Sequence, residues 1–116
     1  MSSQPRKLNI EAQRDSDTVV LRLAGEIDLR TSPELRETLL DLIEQRPARI
    51  ILDLAGVDYI DSSGVGTIVE LKRKAMRNSS KVVLVTLQPR VRSLFEITRL
   101  DNFFDIAADI DEAREI

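Results

Sequence analysis

The sequence predicts an α/β fold: a mixed sheet of four to five strands, opened by an antiparallel hairpin, largely parallel thereafter and covered by about four helices. Two observations carry that prediction. Two runs of period-two alternation near the start are separated by a polar turn. Short β-branched runs, too brief for helices, then alternate with segments of helical spacing. The length of 116 residues suits one domain, so residues 1–6, polar and containing a proline, are expected to be a disordered lead-in and residues 7–116 a single domain. Hydrophobic residues make up 42% and aromatics only 3%, which calls for a core of Leu, Ile, Val and Ala.

In the first run Leu8, Ile10 and Ala12 alternate with Asn9, Glu11 and Gln13, as in a half-buried strand. Residues 14–17 read as a turn, after which Val19, Leu21 and Leu23 alternate again. Thr31-Ser32-Pro33-Glu34 is a helix start: hydroxyls to cap it, a proline whose missing N–H costs nothing in the first turn, and an acid favoured by the dipole. Leu35, Leu39, Leu42 and Ile43 then share one helical face, and Pro47 follows the end. Residues 50–54 read as a buried strand, and residues 55–60 as a short segment that follows it and leads to the next helix start. Val65, Ile68, Val69, Ala75 and Met76 recur at helical spacing, with Lys72, Arg73 and Lys74 favouring a solvated side. Residues 81–86 hold a buried strand; Gln88-Pro89 opens a helix carrying Val91, Leu94, Phe95 and Thr98, which Asn102 helps to end. A short last strand over residues 103–106 and a closing helix over 109–115 complete the pattern.

Composition excludes more chemistry than it suggests. Cysteine and histidine are both absent, which removes disulfides, thiol nucleophiles, Ser-His catalysis and most zinc sites. A formal net charge of −3 gives no footprint for nucleic acid. No apolar run approaches a membrane span and the N-terminal residues lack a signal-peptide core, so the expected location is cytoplasmic without membrane insertion. No cofactor, metal or small-molecule ligand is expected.

The stretch Tyr59-Ile60-Asp61-Ser62-Ser63-Gly64-Val65-Gly66 breaks the pattern at a strand-to-helix junction, on the side of an open α/β sheet where partners usually bind. Asp and Ser are preferred helix caps and Gly64 permits close backbone passage, so a plain helix start accounts for the residues. A serine at a helix N-terminus is equally a good acceptor for a phosphoryl group, because the dipole and free amides stabilise the dianion. Beside Asp61 and near Asp58, the added charge of about −1.5 to −2 would repel an acidic partner. Both readings stand on the residues alone.

This stretch, together with upstream Gly25-Glu26-Ile27-Asp28 and downstream residues 89–100 (PRVRSLFEITRL), resembles the anti-sigma factor antagonists, the stand-alone STAS-domain proteins of bacteria. The resemblance spans nearly the whole chain in order. It implies the STAS-type sheet and a non-enzymatic partner switch. The unmodified antagonist binds an anti-sigma factor that is also a serine protein kinase, and so frees the sigma factor. The kinase phosphorylates the serine after the Asp, which breaks the pair, and a serine phosphatase resets it. Carried over, that serine is Ser62, with Asp61, Ser63 and Gly64 forming its loop and Gly25, Glu26 and Asp28 a second segment near the partner surface. Val65 stands where the family often has Leu.

Other features admit plainer readings. Asp28 alone is a turn carboxylate, and Thr31 and Ser32 are caps only. Asp53, Asp58 and Asp61 span a strand and a loop, so convergence on one ion is not implied. The cluster Lys72, Arg73, Lys74 and Arg77, like Arg90, Arg92 and Arg99, fits a solvated face; the alternative for the cluster is contact with an acidic kinase surface. A phospho-aspartate receiver domain would need clustered acids for Mg²⁺ and lacks an opening hairpin. A STAS-like accessory subunit of a membrane transport system needs no modification at all. A hydrolase has nothing obvious to activate its serine.

Overall fold

In the computed structural model, which describes residues 7–116, β1 (Leu8–Asp15) and β2 (Thr18–Ile27) pair antiparallel with Asp15 opposite Thr18. Ser16 in the turn has φ of 59°, the left-handed conformation that tight hairpins use. The expected lead-in, residues 1–6, lies outside the described residues. Ala12, expected to face inward, is exposed, because β1 is an edge strand that packs chiefly on β2.

The chain continues through α1 (Ser32–Glu44), β3 (Arg49–Ile60), α2 (Ser62–Arg77), β4 (Lys81–Val85) and α3 (Pro89–Ile97). A short 3-10 turn (Leu100–Asn102), β5 (Asp105–Ala107) and α4 (Ile110–Ala113) complete it. The strands lie in the order β1-β2-β3-β4-β5, and every pair after the hairpin is parallel. Each parallel crossover steps one strand in the same direction, so right-handed connections put α1, α2 and α3 on one face. There Leu35 and Leu39 of α1, Ile68 and Leu71 of α2, and Val91 and Phe95 of α3 bury the inward side chains of β2, β3 and β4.

The other face is covered unevenly. Val20, Ile51, Val83, Val85 and Ala107 pack under Ala113 of α4, and the Arg49 guanidinium donates to the Ile116 carbonyl at 2.7 and 3.2 Å. Toward β1 that face carries exposed Glu11, Arg22 and Ala24.

Three elements depart from the sequence pattern. Residues 55–60, expected as a connecting segment beyond the strand, belong to β3, which gains two extra residues relative to β2 at register shifts beside Arg22/Ala24 and Gly25/Glu26. These bulges turn the inward spacing from two into three: Leu54, Val57 and Ile60 are buried. Met76, expected on the apolar face of α2, is 60% exposed, and Leu71 packs inward instead. α3 stops at Ile97 with Thr98 as its C-cap, and Arg99 at φ 61° ends it before Asn102.

Candidate functional site

β2 and β3 finish side by side, with Ile27 opposite Ile60, and the Asp61 N–H donates to the Ile27 carbonyl at 3.1 Å. The two segments singled out in the sequence therefore leave the sheet from adjacent strands, at its carboxyl edge.

Asp61 is the N-cap of α2. Its Oδ1 accepts the Ser63 hydroxyl at 2.6 Å and the backbone N–H groups of Ser63 and Gly64 at 2.9 and 3.2 Å. The Ser63 hydroxyl is the main cause that holds the Asp61 carboxyl below its usual value; desolvation opposes it, and the amides of Gly64, Ser63 and Leu29 add to the lowering. Gly64 is required by packing: a Cβ there would lie 2.5 Å from Ile27 Cγ2 and 2.8 Å from Ile60 Cγ1.

The neighbouring serines differ. Ser62, the first residue of α2, is exposed, and its hydroxyl has no hydrogen-bond partner among the described residues. Ser63 is half-buried, bound to Asp61 and 3.0 Å from Ser32 Oγ, across 31 positions of sequence. The loop thus presents one free hydroxyl and engages the other.

The upstream segment is organised by Asp28. Its Oδ1 accepts the N–H groups of Arg30 and Thr31 at 2.9 and 3.2 Å, and its carbonyl accepts the Ser32 N–H at 2.8 Å and the Ser32 hydroxyl. Thr31 and Ser32, expected as caps only, do something else. The Thr31 hydroxyl donates to the Glu26 carbonyl at 2.8 Å while accepting the Asp28 N–H at 2.9 Å, and Ser32 joins the start of α1 to Ser63. Asp28 is buried, so its carboxylate serves its own turn. Gly25 has φ of 120°, a conformation side-chain-bearing residues rarely adopt, and lies against the Lys7 backbone. Glu26 is half-buried and lines a hollow of about 450 Å³ with Asp58, Tyr59 and Arg90.

Sequence reasoning missed Leu29, 76% exposed beside the site. It lines a hollow of about 530 Å³ with Ser32, Arg36, Leu40, Ser63 and Thr67. Its signal was a large apolar residue in a turn, belonging to neither the strand pattern nor the helix pattern. Arg36, on the wall of that hollow, holds Glu70 of α2 through two bonds of 2.8 and 2.9 Å. Asp53 does not join Asp61; it pairs with Arg22 at 3.7 Å and caps the Ala55 N–H. Among the described residues, no three His, Cys, Asp or Glu side chains gather as for a metal ion. On α2, Arg73 and Arg77 are exposed while Lys72 and Lys74 are half-buried.

A five-stranded mixed sheet with an exposed serine opening a helix at its carboxyl edge defines the class, and comparison with known proteins gives it a family. The STAS domain profile matches residues 9–113. The anti-sigma-B factor antagonist of Bacillus subtilis (strain 168) is 34% identical over 101 residues, covering 87% of this chain and 92% of that protein. The unphosphorylated form of the anti-sigma factor antagonist SpoIIAA superposes with a TM-score of 0.78 at 27% identity, covering 93% of this chain and 98% of that one. The phosphorylated form of the Bacillus cell fate determinant SpoIIAA superposes with a TM-score of 0.72 at 26% identity, covering 92% and 97% respectively. The chain belongs to the STAS domain family, in its anti-sigma factor antagonist branch. No helix among the described residues is long and apolar enough to cross a membrane.

Proposed function

We propose that the unmodified protein binds an anti-sigma factor that is also a serine protein kinase, releasing a sigma factor, and that phosphorylation of Ser62 by that kinase breaks the pair. A serine phosphatase then restores the binding form. One observation carries the assignment to Ser62: its hydroxyl is exposed and unengaged at the first position of α2, while that of Ser63 is bound to Asp61. The γ-phosphoryl group passes from ATP to Ser62 Oγ, ADP leaves, and the hydroxyl proton goes to a base of the kinase. The chain itself performs no catalysis. The product dianion gains from the N-terminal dipole of α2, and beside the Asp61 carboxylate it presents concentrated negative charge to the partner.

The experiment mixes the protein with the serine-kinase anti-sigma factors of the same genome, ATP and Mg²⁺, and reads intact mass and phosphopeptides. The expected result is one phosphate on Ser62, absent in Ser62→Ala and retained in Ser63→Ala. A phosphate on Ser63, or none with any kinase, would overturn the assignment.

A further inference from the structure

Gly66 has no structural reason to be glycine. Gly64, two residues earlier, is forced by Ile27 and Ile60, but a Cβ at Gly66 would meet nothing within 4 Å, and its φ is not in the positive range. A glycine inside a helix is less stable than alanine because it has more backbone freedom to lose. What glycine supplies at an exposed helical position is bare backbone that another chain can approach closely.

The surroundings select the kind of chain. Gly66 sits one turn on from Ser62 along the same face of α2. With Val69, Glu70, Arg73, Lys74 and Arg77 it lines a shallow hollow of about 300 Å³. Glu70 is bound bidentately by Arg36, so its charge is answered within the protein. Lys74 also faces Glu70, and Arg73 and Arg77 remain, so the strip is cationic on a chain of net charge −3. Charge complementarity therefore favours an acidic occupant.

We infer that the α2 groove from Gly66 to Arg77 receives an acidic segment of the anti-sigma factor, with Gly66 as the point of closest approach; this rests on the binding function proposed above. It also explains how a phosphate on Ser62 acts. One helical turn advances ~5.4 Å, well inside the ~10 Å over which charges interact at 0.1 M salt. The phosphate repels an acidic segment lying over Gly66 without any change in the fold.

Calorimetric titration of the anti-sigma factor with wild type, Gly66→Gln, Arg73→Glu/Arg77→Glu and the control Arg46→Glu/Arg99→Glu tests this. The control makes the same charge change at exposed positions outside the groove. Gly66→Gln is expected to unfold at or above the wild-type temperature yet bind at least about tenfold more weakly. The groove reversal is expected to weaken binding at least about tenfold at ~50 mM salt and less at ~500 mM, the control staying within about twofold at both. If wild type binds and either groove variant stays within about twofold of it, the inference fails while the binding function stands. If wild type binds no anti-sigma factor of the genome, both fall.

Discussion

At the scale of residues, adjacent positions of like chemistry have been given different tasks by their contacts. Ser62 and Ser63 share a motif, yet only Ser63 is tied to Asp61 and Ser32. The cap itself was legible, because Asp before a helix is a local preference. The Ser32 contact was not, since nothing local announces a bond across 31 residues. The two glycines of α2 give opposite predictions. Gly64→Ala forces a methyl onto the fully buried, β-branched Ile27, which cannot swing aside; a loss of about 1–3 kcal/mol outweighs the gain in helix propensity. Gly66→Ala meets open space and should gain about 0.5–1 kcal/mol. Urea unfolding of both variants reads the two signs together. Asp61→Ala should lose about 0.5–2 kcal/mol at neutral pH. The folded protein holds the Asp61 carboxyl below its ordinary value, so this stabilisation is present above the unfolded-state value and lost as pH falls through the folded one. The gap between wild type and Asp61→Ala should be full at pH 7 and narrow below about pH 4.

At the scale of elements, a pattern was readable wherever its period stayed constant. The hairpin and α1 stand close to the expected positions, and α2 and α3 begin where expected although Met76 faces solvent and α3 ends at Ile97. β3 did not keep a constant period. Its bulges make Leu54, Val57 and Ile60 point inward at intervals of three, which neither a strand nor a helix template recognises. Those bulges lie just before Asp61, so the strand end that aims the Asp61–Gly64 loop was the part least visible in the sequence. The coupling of α1 to α2 was equally hidden, because Arg36 and Glu70 belong to separate helices and look like ordinary solvated charges. A double-mutant cycle of Arg36→Ala and Glu70→Ala should find a favourable coupling that shrinks as salt rises, since both side chains are partly exposed. A coupling independent of salt would mean that the pair acts through packing instead.

At the scale of the whole molecule, sequential strand order puts three helices on one face and delivers the ends of β2 and β3 to one edge, where Asp28 holds the turn before α1 and Asp61 caps α2. The sheet-and-helix class followed from alternating periods, but the uneven cover of the second face did not, because one short helix carries little pattern. Since the Ser62 hydroxyl makes no hydrogen bond among the described residues, adding a phosphate breaks none. Amide chemical shifts of the phosphorylated protein should therefore change around the starts of α1 and α2 and leave the strands as they were. In the proposed switch, charge on Ser62 alone turns the partner off. Its most direct test is the affinity of one anti-sigma factor for the unmodified and the Ser62-phosphorylated protein. Like charges forced together cost several kcal/mol, so the phosphorylated form should bind at least about a hundredfold more weakly. Equal binding by the two forms would mean that Ser62 is not the switch.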